Sequence, residues 1–261
     1  MAGHRQAILQ LRLAAHDLGR PPIPVTDETG AAVDQGTALI PRVDLTLEDT
    51  WLVAGLRSPG SNCMVAEEVF VSEHRVMRIP PAITGEHPTE HKDEALYRSA
   101  LAPVLALVPV GPQLGKAALD LVAGKAAKKP LFHTYFTAQH DSAGFQLQIA
   151  EAALLPDTAR LVAFRAADDA DHAAARDEYP DYLTRARVRS DTGYVADCVA
   201  RAIEILLSAH GAGSFAEVNP LQRIRRDSAT AARHANVSPT VGYEVYGKAM
   251  LRVADSVTPL V

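Results

Sequence analysis

At 261 residues, 48% of them hydrophobic and 22% charged, the chain can bury a good core as one large domain or as a domain with a smaller companion. A formal net charge of -5 argues against a general binder of nucleic acid or of an anionic membrane, because phosphate-rich partners need a basic face that outweighs the whole-molecule balance. The cysteines, Cys63 and Cys198, stand far apart and outside any CxxC arrangement, so neither a disulfide framework nor a thiolate metal site is indicated, and a reducing cytoplasm fits best.

In chain order, residues 1–20 place apolar side chains at Ile8, Leu9, Leu11 and Leu13 in a pattern compatible with a short amphipathic helix that Gly19 and Pro21-Pro22 would stop. A β texture follows. Ala38-Leu39-Ile40, Trp51 to Leu56 and Met64 to Val71 read as strands, separated by turn residues at Asp27-Glu28-Thr29-Gly30 and Ser58-Pro59-Gly60-Ser61-Asn62. Residues 80–92 read as a solvated linker: His87 and His91 are four apart, but Pro88 breaks the helix that would aim both rings at one metal, so no metal site is expected. The apolar run from Ala100 to Val110 is too short to span a bilayer and contains Pro103 and Pro109.

From Asp93 onward the pattern is helical. One helix is expected over 95–128, interrupted by Pro109 and Pro112, and a second over 143–175 with Pro156 as a kink. The third is the cleanest: Pro180-Asp181 starts it, Val195, Cys198, Val199, Ala202, Ile203 and Leu206 form its apolar stripe, and His210-Gly211 ends it. Its Arg185, Arg187 and Arg189 read as a solvated face. Asn219-Pro220 starts a fourth helix to about His234, and Ser238-Pro239 a fifth to about Leu251. The fold expected is mainly α, with an antiparallel four-helix bundle over 93–261, a partial β-domain over 22–79 and a leader over 1–21.

No Walker loop, GxGxxG, GxSxG or HExxH motif is present. What remains is the corner from Gly211 to His234, where a small-residue turn meets helix starts, an arrangement that can receive a phosphate. The same residues also read as a helix C-cap followed by a capped helix, and Arg223, Arg226 and Asp227 as surface charge.

Three ordered blocks carry a resemblance: Val53 to Val76 (VAGLRSPGSNCMVAEEVFVSEHRV), Phe145 to Arg160 (FQLQIAEAALLPDTAR) and Leu206 to Met250 (LLSAHGAGSFAEVNPLQRIRRD, AARHANVSP and GYEVYGKAM in sequence). They resemble the acyl-CoA dehydrogenase superfamily, and within it the flavin-dependent monooxygenases that serve as oxygenase components of two-component aromatic hydroxylases. The resemblance implies a homotetramer that holds reduced flavin, FMN or FAD, at a subunit boundary. A separate flavin reductase would supply it, and reaction with O₂ would give a flavin C4a-hydroperoxide that hydroxylates an aromatic or polyketide-like substrate.

By the same resemblance Gly211, Gly213 and Ser214 would face flavin phosphate and Gln146 would touch a partner subunit's cofactor. Arg57 and Ser61 would belong to the β-domain loop near the flavin edge, where Pro59 replaces a small residue, and Arg226-Asp227 would fix the last helices. His234 would be the active-site histidine, suited to hold a proton because its pKa range spans working pH. Its plainer reading is a helix-end histidine that satisfies a carbonyl. The family also has an N-terminal helical domain that residues 1–20 do not resemble, and a partial β-domain alone would leave strand edges and apolar surface uncovered. The alternatives are a true acyl-CoA dehydrogenase, which lacks an evident base glutamate here, and a non-catalytic helical oligomerisation module.

Overall fold

The computed structural model describes residues 18–19, 21–83, 90–91, 93–95, 98, 111–255, 257–258 and 261. The chain divides into two compact units, Met1–Ala100 and Leu101–Val261.

The first unit contains β1 (Leu18–Gly19), β2 (Pro22–Thr26), β3 (Ala32–Ala38), β4 (Ile40–Pro41), β5 (Thr46–Glu48), β6 (Cys63–Val65), β7 (Val76–Arg78) and a short helix α1 (Ile79–Ile83). All pairings are antiparallel: β1 with β4, β5 with β6, and a three-stranded sheet in the order β2-β3-β7. The turn between β2 and β3 falls where the sequence places it. Gly30 takes φ +82°, and the Asp27 carboxylate accepts from the Thr29 hydroxyl at 2.6 Å and the Thr29 and Ala31 amides at 2.9 and 3.1 Å, bonds that hold its pKa below the usual carboxylate range.

Ala38-Leu39-Ile40 is not one strand, since Leu39 breaks it between β3 and β4, and three further expectations need correction. Trp51 to Leu56 is a loop, because the Trp51 indole N–H donates to the Leu56 carbonyl at 2.7 Å and the Trp51 amide to Asn62 Oδ1 at 2.9 Å. Those bonds take the groups a ladder would use, and Leu56 sits at φ +52°. Of the run Met64 to Val71 only Met64 and Val65 are strand. Leu18, at the end of the expected leader helix, and Gly19, its expected stop, are strand; the rest of that helix falls on residues outside the described ones.

The second unit is helical: α2 (Gln113–Ala123), α3 (Ala143–Ala175), α4 (Tyr182–His210), α5 (Pro220–Ala231) and α6 (Pro239–Leu251). The first expected helix, 95–128, is seen as α2 alone: it starts after Pro112 and stops at Ala123, with 124–128 in turns, while 96–97 and 99–110 lie outside the described residues. Three of these helices begin on a side-chain cap: Ser142 accepts from the Phe145 amide, Asp181 from Thr184 at 2.7 Å, and Asn219 from Leu221 at 3.0 Å; α2 and α6 start without one. Helix α3 runs on through Pro156, whose ring nests against Gly115 of α2, where an added Cβ would come within 2.7 Å of it. Helix α4 is the centre of the unit and packs on α2, α3, α5 and α6. The stripe read from its sequence is buried throughout, each full-size aliphatic side chain there contributing about 1.5–3 kcal/mol. Helix α3 answers with a seven-residue repeat of buried alanines, Ala152, Ala159, Ala166 and Ala173, small enough for helix axes to approach closely.

Candidate functional site

The C-terminus of α4 forms the first part of the site. Gly211 caps the helix at φ +81°, a conformation that favours glycine, with no atom within 4 Å of an added Cβ. Residues Ala212–Phe215 then make one 3₁₀ turn. The backbone from Gly211 to Gly213 is exposed, whereas Ser214 is fully buried and its hydroxyl has no hydrogen-bond partner.

Side chains lace this corner together. Asn219 Nδ2 donates to the Gly213 carbonyl at 2.8 Å while its Oδ1 caps α5. Lys129 Nζ donates to the His210 carbonyl and lies 3.1 Å from His210 Nδ1. Burial, then the charges of Lys129 and Lys125, lowers the His210 pKa and disfavours its imidazolium form; burial likewise lowers the pKa of Lys129. Sequence reading takes His210 only as the end of its helix and gives Lys129 no role; the run Lys125, Lys128, Lys129 ahead of a helix start is the available signal. Gln139 reaches the same helix end, donating to the Ala209 carbonyl at 3.0 Å. Gln146, exposed on the first turn of α3, donates to the His140 carbonyl at 2.8 Å, one residue on from that contact.

His234 belongs to a different corner. Helix α5 ends at Ala231 rather than at His234, which instead caps the 3₁₀ turn Ala235–Val237 and accepts at Nδ1 from the Asn236 amide at 3.2 Å. The ring is exposed. Beneath it lies Arg189, only 3% exposed, whose Nη2 donates to the Ala235 carbonyl at 3.0 Å and whose Nη1 donates to the Asn236 carbonyl. Thr192 donates to the same Asn236 carbonyl at 2.7 Å.

The solvated face expected of the three arginines is therefore wrong. Arg189 is buried under the 235–237 turn; Arg187 pairs with Asp169; Arg185 stacks on Tyr179 and Tyr182 and donates to the Val261 carbonyl at 2.6 Å. Carried back by seven from Val195 and Val199, the apolar stripe of α4 lands on Val188 and Thr192; Arg189 lies to one side of it and is buried by the 235–237 turn packed over it.

In the first unit, Arg57 is exposed and its Nε donates to the Val53 carbonyl at 2.6 Å; Ser61 is half-buried beside Gly60, which takes φ +58°. Within the second unit, Gln146 and the Gly211 turn share the neighbourhood of the α4 C-terminus. His234 does not join them: it is held over Arg189 and Thr192, and the 21 residues from Arg189 to His210 span roughly 30 Å of helix. Arg226, whose Nε is buried without a partner, borders a surface cavity of 510 Å³ with Phe215, Glu217, Gln222 and Arg225. Among the described residues no group of three or more His, Cys, Asp or Glu side chains is arranged to hold a metal; His87 lies outside them.

The helical unit with its capped glycine turn defines a class. Residues 105–239 match the acyl-CoA dehydrogenase C-terminal domain, and the chain belongs to that family. The relatives it matches are named as oxygenases of flavin-dependent monooxygenase systems. It is 31% identical over 222 residues to the oxygenase subunit HsaA of a flavin-dependent monooxygenase from Rhodococcus jostii (strain RHA1), covering 84% of this chain and 58% of that one. With the oxygenase component of p-hydroxyphenylacetate 3-hydroxylase from Acinetobacter baumannii it shares 25% identity over 216 residues, 82% of this chain and 51% of the other. The structure of XiaF from Streptomyces sp. in complex with FADH2 and glycerol superimposes with a TM-score of 0.84 at 35% identity, over 93% of this chain and 62% of that one. The chain thus spans just over half the length of the curated relatives it matches.

Proposed function

We propose that this chain is part of the oxygenase component of a two-component monooxygenase that hydroxylates an aromatic or polyketide-like substrate with reduced flavin and O₂, the flavin coming from a separate reductase. What carries the reading is that the monooxygenase relatives match along 82–84% of the chain, so the likeness is not confined to the helical unit. The FADH2 named in the Streptomyces structure supports FAD over FMN.

The residues present fit a flavin in part. The glycine turn is open and exposed, and the Lys129 cation stands beside it, as a phosphate requires. Ser214 points its hydroxyl inward, so the backbone of Gly211 to Gly213, rather than that side chain, is the binding surface. Arg57, Ser61 and Gln146 are further contact candidates, Arg57 and Gln146 exposed and Ser61 half-buried. His234 would hold a proton beside the reacting ring, and the rest of the turn would orient it. The flavin itself supplies the chemistry with O₂.

A separation of roughly 30 Å along α4 keeps the glycine turn of one chain from holding the phosphate next to the ring that the same chain's His234 would face. That favours an assembly, a homotetramer in this reading, in which neighbouring copies complete each other's sites. Two free, buried cysteines, Cys63 and Cys198, support a cytoplasmic setting, and among the described residues no helix is long and apolar enough to cross a membrane.

Reduced FAD or FMN added under anaerobic conditions is expected to raise the melting temperature, by the equivalent of about 2.7 kcal/mol at one hundred times Kd; no shift with either flavin overturns the reading. In the reductase-coupled system, His234→Ala should fold normally and release more hydrogen peroxide per NAD(P)H consumed. Unchanged coupling removes His234 from the mechanism.

A further inference from the structure

We propose that Arg189 is a positioning residue that fixes the tautomer and aim of the His234 imidazole through two backbone peptides, a role that rests for its functional meaning on His234 meeting the flavin. The Ala235 carbonyl held by Arg189 Nη2 at 3.0 Å belongs to the same peptide as the Asn236 N–H, and that N–H donates to His234 Nδ1 at 3.2 Å. The Asn236 carbonyl, held by Arg189 Nη1 and by Thr192 Oγ1 at 2.7 Å, belongs to the peptide whose Val237 N–H donates to the His234 carbonyl at 2.8 Å. One buried cation therefore grips both peptides whose amides point back at His234.

A guanidinium that draws charge from a carbonyl strengthens the donor at the other end of the same amide. A backbone donor fixed on Nδ1 makes that nitrogen an acceptor, so the neutral ring carries its proton on Nε2, the edge turned away from the loop. Among the described residues no carboxylate pairs with Arg189. A cation that is 3% exposed and lacks a counter-charge is costly, and the two carbonyls offset that cost while they are in turn held by it. The forked donor geometry of arginine spans two adjacent carbonyls; a lysine ammonium is a single point and does not. The neighbouring packing leaves the turn little freedom, since a Cβ on Gly193 would fall 2.6 Å from the Pro239 Cα.

The test reads the histidine without any flavin. Long-range ¹H–¹⁵N spectra of the labelled chain are expected to show neutral His234 as the Nε2–H tautomer alone. Arg189→Lys should give a mixture of tautomers and roughly tenfold faster deuterium exchange at the Asn236 amide. Thr192→Val, which keeps the side-chain shape, should produce a smaller change of the same kind that Thr192→Ser reverses. The lysine and Thr192 variants, which keep the turn packed, carry the decision. A folded Arg189→Lys chain with a single Nε2–H tautomer and unaltered Asn236 exchange overturns the proposal. A tautomer change with normal coupling in His234→Ala leaves the relay standing and removes only the flavin reading.

Discussion

The two units of this chain hold their shape by different means. In the first, short strands and a looped segment are fixed by side chains bonding to backbone: Asp27 closes one turn, and Trp51 and Asn62 organise the loop between β5 and β6. Its buried apolar set among the described residues is small, Ala38, Ile40, Cys63, Met64 and Val65, while Val43 and Phe70 are each 91% exposed and Leu52 83%. The second unit is ordered by close helix packing around α4, where Leu206 and Ile203 are essentially inaccessible and alanines line the facing helix. Stability in the helical unit should therefore answer to volume, and in the first unit to polar geometry.

The largest expected effect is Leu206→Ala, which leaves a cavity at the centre of the helical unit and should cost about 3–4 kcal/mol in urea unfolding followed by far-UV circular dichroism. A cost under 1 kcal/mol would mean that α4 is not the core it resembles. Smaller is Asp181→Ala, which removes the cap of α4 and should cost about 1 kcal/mol at neutral pH. The bond to the Thr184 amide, the largest cause, lowers the Asp181 pKa below its ordinary 3.8. The stabilisation is thus present above that value and lost as pH falls through the folded-state pKa, so variant and wild type should converge in acid. Smallest is Phe70→Ser in the first unit, expected to stay within about 0.5 kcal/mol. A loss above 1 kcal/mol, measured at increasing protein concentration, would show that another copy covers this face.

The legibility of the two units in the sequence follows the same divide. Helices α3, α4 and α6 are found within a residue or two because their signals are local: Ser142, Asp181 and Pro239 mark starts, and Gly211 a stop. Strands depend on partners distant in sequence, and the Trp51 to Leu56 run was misread because nothing local tells that its indole bonds to its own carbonyl neighbour. The candidate site divides likewise. The glycine turn and His234 stand out by residue type, whereas Lys129 meets His210 across 81 positions and Arg189 meets Asn236 across 47. A basic residue beside an apolar stripe reads as solvated until the distant turn that packs over it is known.

Helices α4 and α6 cross with no room for a side chain at two points: a Cβ on Gly193 would meet the Pro239 backbone at 2.6 Å, and one on Gly242 the Arg189 carbonyl at 2.9 Å. Neither glycine touches His234, yet a single methyl at either would push the crossing apart and drag the imidazole with it. A library built to alter the selectivity of this protein would thus find its most far-reaching positions among residues that no substrate-contact criterion selects.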